Sequence, residues 1–178
     1  VWGQNDKPSR AKRKSVNAKV ASPFYRAAEM DDVYNELVLS FKGNWGVEFR
    51  AYNDGIAYRF VNKSKKPFKI ANEEVNLQFT SDAKGIVPYV IRGQDGNYES
   101  QFRNSFENQY TVKKLSELNK QRLMFLPAMV EVENNVKVCF TETDLNNYPG
   151  LYLSAGKGEH LLSGMFDLLT GYMALNGM

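Results

Sequence analysis

Period-two alternation, broken every few residues by turn-forming side chains, is the pattern that most limits how this chain can fold. Leu37, Leu39 and Phe41 alternate with Val38 and Ser40, and Lys42-Gly43-Asn44 follows as a turn. Val47, Phe49 and Ala51 then alternate with Glu48, Arg50 and Tyr52. Asn53-Asp54-Gly55 is a strong hairpin signal, because these residues tolerate positive φ. Ile56, Tyr58 and Phe60 resume the pattern with Ala57 and Arg59 between them. Successive side chains of a strand point to opposite faces, so each run presents one apolar face to a core.

The pattern continues further along. Val75, Leu77 and Phe79 alternate with Asn76, Gln78 and Thr80. Residues 86–91 are apolar, and Pro88 places that run at a sheet edge, because proline cannot donate to a ladder. Gln94-Asp95-Gly96-Asn97 reads as a turn, residues 104–112 as extended, and residues 124–132 as a strand entered past Pro127. Asn134-Asn135 makes a tight hairpin into Val136. Many short strands with regular turn signals predict an all-β, antiparallel sandwich. The high content of Tyr (10) and Phe (11) agrees, since aromatic rings fit half-buried pleated surfaces. The expected organisation is an irregular N-terminal segment over 1–30, a β-sandwich domain over 31–160, and a tail over 161–178. In the tail, Leu161, Met165, Phe166, Leu168, Leu169, Tyr172 and Met173 fit a short helix imperfectly, weakened by Gly164 and Gly171.

Several function classes are disfavoured. A net charge of +3 gives no case for a nucleic-acid partner. The basic run Arg10-Ala11-Lys12-Arg13-Lys14 and the lysines of 63–69 read as solvated loops rather than polyanion contacts, since no aromatic platform accompanies them. No apolar run reaches the roughly 18–20 residues of a membrane span. No signal peptide stands at Val1, and the chain opens on Val-Trp-Gly rather than Met, so it reads as a fragment or truncated product. Cys139 is the single cysteine, which excludes an intrachain disulfide. His160 is the single histidine and lies in a Gly-rich loop, poor ground for a histidine-based nucleophile site or for zinc. There is no phosphate-cradling glycine loop.

Carboxylates remain. Val136, Val138, Phe140 and Glu142 share one strand face, so an acid stands at the end of an apolar row. A partly dehydrated carboxylate is costly unless a cation or several donors meet it. Spacing alone leaves a metal ion and an arginine equally acceptable as partners of Glu142. Asp144 has the oxygen chemistry that Ca²⁺ favours, but a turn-forming role is the simpler one. Adjacent acids such as Glu73 and Glu74 face opposite sides of a strand, so no acid/base pair of a glycosidase is evident.

An ordered series of motifs supplies a resemblance. Tyr34-Asn35-Glu36-Leu37, Phe49 through Phe60, Tyr98-Glu99, Phe106-Glu107-Asn108-Gln109-Tyr110, Leu126-Pro127 and Glu142 through Gly150 together resemble the N-terminal domain of glycoside hydrolase family 97. These are the Bacteroides-type α-glucosidases and α-galactosidases. The resemblance implies an incomplete galactose-mutarotase-like super-sandwich. It also implies a catalytic (β/α)₈ barrel outside this chain, an oligosaccharide or α-glycoside substrate, and a periplasmic or secreted location. Glu142 would be one ligand of a Ca²⁺ ion near the barrel's catalytic acids. No catalytic residue is expected in this chain, and Ca²⁺ should bind weakly here at best. Missing strands would leave open sheet edges through which two copies could pair as a homodimer. The competing reading is a stand-alone carbohydrate-binding module, with Trp45, Tyr52, Tyr58, Tyr148 or Tyr152 stacking on sugar rings.

Overall fold

In the computed structural model, which describes residues 2–24, 26–64, 66, 70–102, 104–145 and 148–167, the alternating runs become antiparallel strands. The chain divides near residue 67 into two compact units.

The first unit is a four-stranded antiparallel sheet in the order β1-β2-β3-β4, comprising β1 (Arg10–Ala21), β2 (Glu29–Phe41), β3 (Trp45–Ala51) and β4 (Ile56–Asn62). Register follows from the alternation. Leu37, Leu39 and Phe41 stand opposite Phe49, Val47 and Trp45, and Phe49 and Val47 in turn oppose Tyr58 and Phe60. Trp45 is only 2% exposed. Its ring is stacked against Phe41 at 4.1 Å and Trp2 at 5.4 Å. The other face is charged: Glu36 receives Lys14 at 3.2 Å and Arg50 at 3.5 Å, while Arg59 meets Glu48 at 2.7 Å. The guanidinium of Arg50 also lies over the Tyr34 ring at 4.5 Å. Gly43 and Asn44, both at positive φ, close the β2–β3 turn, and the Tyr52 amide donates to the Gly55 carbonyl across the next.

The N-terminal part departs from expectation. Residues 10–21 form a strand of 12 residues paired with β2 along its whole length, from Arg10↔Ser40 to Ala21↔Glu29, rather than an irregular segment. The basic run is therefore edge strand, not loop. Almost every residue of β1 is exposed, so neither face needed an apolar row and no alternation marked it. Backbone pairing carries the strand, and its lysines and arginines suit an edge that must resist further pairing.

The second unit is a sandwich. Its strands are β5 (Asn76–Gln78), β6 (Lys84–Pro88), β7 (Tyr110–Lys114), β8 (Ala128–Glu131), β9 (Lys137–Phe140), β10 (Tyr152–Ser154) and β11 (Leu161–Met165). They form one sheet ordered β10-β11-β5 and another ordered β7-β6-β8-β9. Val87 and Val130 from the four-stranded sheet meet Leu153 and Leu162 from the three-stranded one in a single buried cluster with Met124, Leu115 and Leu118. Two opposed apolar faces sharing one core define the sandwich layer.

Three expectations shift here. Pro88 belongs to an interior strand, not an edge. It closes β6 beyond the last β8 partner, Ile86↔Met129, where its carbonyl accepts from the Phe125 amide at 3.1 Å and its missing N–H is not needed by β8. Residues 104–109 are not strand, and β7 begins only at Tyr110. The helix expected from Leu161 is a strand over Leu161–Met165, pinned between Tyr152–Ser154 and Asn76–Gln78. Ladder pairing on both sides outweighs an irregular helical pattern already weakened by Gly164. The rest of that expected helix, residues 168–178, lies outside the described residues.

Gln101 explains why a polar residue can sit at 0% exposure. Its amide nitrogen donates to the carbonyls of Gln94 and Gln121, both at 2.8 Å, and its oxygen accepts from the Leu123 amide at 2.8 Å. One side chain thus pins the turn at Gln94 to the segment that enters the core at Leu123.

Candidate functional site

Glu142 stands just beyond β9, at the start of the loop that returns to β10. Its Oε2 accepts a hydrogen bond from the Leu151 amide at 2.7 Å, joining the two ends of that loop. Gly150 lies against the same oxygen, where an added Cβ would sit 3.9 Å away. Asp144 adopts positive φ, the geometry of a turn-forming acid. The Tyr148 hydroxyl donates to a Glu73 carboxylate oxygen, and its ring meets Phe166 edge-on at 6.0 Å. Glu73 approaches from the segment leading into β5, so the loop is held against the β10-β11-β5 sheet.

The apolar row beneath Glu142 is less enclosed than alternation implied. Because β9 is an edge strand, Val136 and Val138 are exposed, and only Phe140 turns inward, against Phe79 at 6.2 Å. Glu142 itself is half-buried. Burial pushes its carboxyl above the usual range, the negative charge of Glu73 pushes the same way, and the Leu151 amide opposes both. Among the described residues no lysine or arginine is ion-paired to Glu142 or Glu73, so the arginine partner considered from spacing is not found there. No group of three or more His, Cys, Asp or Glu able to hold a metal occurs among the described residues.

Oxygen donors beside an under-compensated carboxylate suit a hard cation such as Ca²⁺, which takes about 6–8 oxygen ligands. Glu142 and Glu73 can supply only a minority of such a shell. The raised carboxyl has a consequence for the chain alone. A carboxyl whose folded-state pKa is raised contributes stability that is present below its unfolded pKa and lost as pH rises through the folded value. Ionised Glu142 therefore costs stability at neutral pH. Glu142→Gln, whose amide oxygen can still accept from Leu151, should melt higher than the parent at pH 7. The gain should vanish near pH 4, as thermal melts across that range would show.

Glu73 and Tyr148 escaped sequence reasoning as a pair because they lie 75 residues apart and nothing local marks their meeting. A second constellation invites inspection. Asp82 accepts from both the amide and the hydroxyl of Ser116, at 2.9 and 2.7 Å, and His160 Nε2 lies 3.9 Å from Asp82. These bonds hold the Asp82 carboxyl below its usual range. The serine hydroxyl donates to the carboxylate and not to the histidine, so the base of a nucleophilic triad is not in place.

The aromatic residues considered for sugar stacking divide sharply. Trp45 and Tyr152 are buried, Tyr52 lies against Tyr34 at 5.2 Å, and Tyr148 is bound to Glu73. Tyr58, at 52% exposure, packs against Phe49 at 6.2 Å and Phe60 at 6.3 Å.

The N-terminal model of the glycosyl-hydrolase 97 family matches residues 2–168. This chain belongs to that family. A retaining α-galactosidase of Bacteroides thetaiotaomicron is 61% identical over 165 residues, covering 93% of this chain and 25% of the relative. The chain thus spans about a quarter of the length of that family 97 protein. Among solved structures, a family 97 enzyme of Pseudoalteromonas sp. strain K8 in complex with acarbose superposes with a TM-score of 0.68 at 17% identity, covering 90% of this chain and 24% of that one. A β-arabinopyranosidase superposes with the same score and identity, over 90% of this chain and 27% of its own. At such identities these two show a shared fold alone.

Proposed function

We propose that this chain is the N-terminal sandwich portion of a glycoside hydrolase acting on α-galactosidic bonds. In this reading it supports a catalytic (β/α)₈ barrel outside these residues and supplies Glu142 to a Ca²⁺ site. The observation that carries the substrate class is the 61% identity to a retaining α-galactosidase across 93% of the chain. The half-buried state of Glu142, with one amide donor and no described cationic side chain, supports the calcium part. Ca²⁺ would supply a fixed positive charge beside the reacting centre. Glu142 would bind it, and the Leu151 amide would orient the carboxylate. Export to the periplasm or beyond fits the same reading, and no helix among the described residues is long and apolar enough to cross a membrane. Under the dimer expectation a second copy would pair at the edges β4 and β9, where Ile56 and Val138 are exposed.

The carbohydrate-binding module is the weaker reading, because the burial of Trp45 and Tyr152 removes two of its five stacking faces. A paired experiment tests the favoured one. The isolated chain should show no turnover of an aryl α-galactoside. Ca²⁺ titration should shift the amide resonances of Glu142 and Leu151 weakly at best, with a dissociation constant no tighter than about 1 mM, the loose end of extracellular sites. Turnover by this chain alone, or Ca²⁺-induced shifts that map elsewhere than Glu142 and Leu151, overturns the reading.

A further inference from the structure

Two observations about the loop between β9 and β10 go beyond its glutamate. The Glu142–Leu151 bond ties the loop's ends together, but it does not anchor the residues between them. That anchorage comes from Tyr148. Its hydroxyl donates to Glu73, which leads into β5, and its ring meets Phe166, which follows β11. β5 and β11 are paired through Leu162↔Leu77, so both anchors flank neighbouring strands of one sheet. Gly164 on β11 is packed so closely that an added Cβ would lie 2.7 Å from Val75 and 2.9 Å from Leu151, and its amide donates to the Val75 carbonyl at 2.7 Å. Leu151, the donor to Glu142, is therefore itself pressed against β11.

We infer that Tyr148 is a positioning residue for Glu142, with Glu73 as its anchor: the Tyr148–Glu73 hydrogen bond latches the loop so that the Glu142 carboxylate is held at one place on the sheet. The latch is a property of the chain without metal. Its use, to present Glu142 to a cation, rests on the calcium reading above. The chemistry suits the task. A tyrosine carries its hydroxyl on a rigid ring with few rotamers to lose, and a hydrogen bond to an ionised acceptor is stronger than a neutral one. Glu73 lies near enough to Glu142 to act on its carboxyl, so the latch also brings a second oxygen-bearing side chain to the site.

Native-state amide exchange on the 178-residue chain tests the latch, with the Leu151 amide as reporter of the Glu142 clasp. Tyr148→Phe keeps the ring against Phe166 and removes only the hydroxyl. Glu73→Ala removes the acceptor, and Glu73→Gln keeps an acceptor oxygen. The Phe and Ala variants should speed exchange at Leu151 by about tenfold, the equivalent of one ordinary hydrogen bond. The Leu153 amide, bonded to the Met124 carbonyl, should stay at its parent rate, and Glu73→Gln should restore most of the protection at Leu151. Unchanged exchange at Leu151 in Tyr148→Phe, or equal acceleration at Leu153, overturns the latch. A parent chain whose Ca²⁺-induced shifts map away from Glu142 overturns the calcium reading alone, because the exchange result needs no metal.

Discussion

Gln101→Leu should lower the unfolding free energy by about 3 kcal/mol, roughly what a newly orphaned buried donor and a broken buried network cost together. Leucine matches glutamine closely in size, so the change removes hydrogen bonds without opening a cavity. The loss is unequal across the three bonds. The Gln94 carbonyl also accepts from the Asn97 amide at 3.2 Å, and the Gln121 carbonyl from the Gly96 amide at 3.0 Å, so neither is stranded. The Leu123 amide has only Gln101 Oε1 as its recorded acceptor, and Leu123 is fully buried. That orphaned N–H dominates the cost. Gly93 leaves little room for relief, since a Cβ there would already lie 2.7 Å from Gln101 Cγ. Urea unfolding should show a lower midpoint at an unchanged slope; a loss under about 1 kcal/mol would mean that water or a backbone shift rescues Leu123.

Leu162→Ala should cost about as much or more, roughly 3–4 kcal/mol within the range seen for buried leucines. Leu162 is at 0% exposure in the middle strand of its sheet, between Tyr152–Ser154 and Asn76–Gln78. Its neighbours are held by ladders on both sides, so the surrounding structure cannot collapse into the space, which puts the cost in the upper half of that range. Leu162→Met, which conserves volume, should cost under about 1.5 kcal/mol by the same denaturation measurement. An alanine variant as stable as the methionine one would show that the two sheets are not jointly held by this cluster.

Both positions bear on what could be seen beforehand. Leu162 lies in the tail read as helical, and that reading failed because strand or helix was decided by pairing with Leu77, far away in the chain. Gln101 gave no signal at all: a glutamine among polar residues is ordinarily exposed, and its burial depends on three backbone groups from separate segments. By contrast most of β3 and β4 was legible, because the alternation from Val47 to Ala51 and from Ile56 to Phe60 matches a sheet with one apolar and one charged face. The strand β1 was hidden for the converse reason, since a doubly exposed edge imposes no pattern on its side chains.

The sequence by itself determined the all-β class, the hairpins at Asn53–Gly55 and Asn134–Asn135, the family, and the place of Glu142 at the end of an alternating strand. These are local matters: alternation, turn chemistry and a carboxylate beside apolar residues are written in neighbouring positions. Only the tertiary structure decided that Pro88 is interior, that Gln101 is a buried pin, and that Glu73 and Tyr148 gather beside Glu142. Each of those depends on which distant backbone a side chain meets, and such meetings are set by strand pairing and core packing over the whole unit.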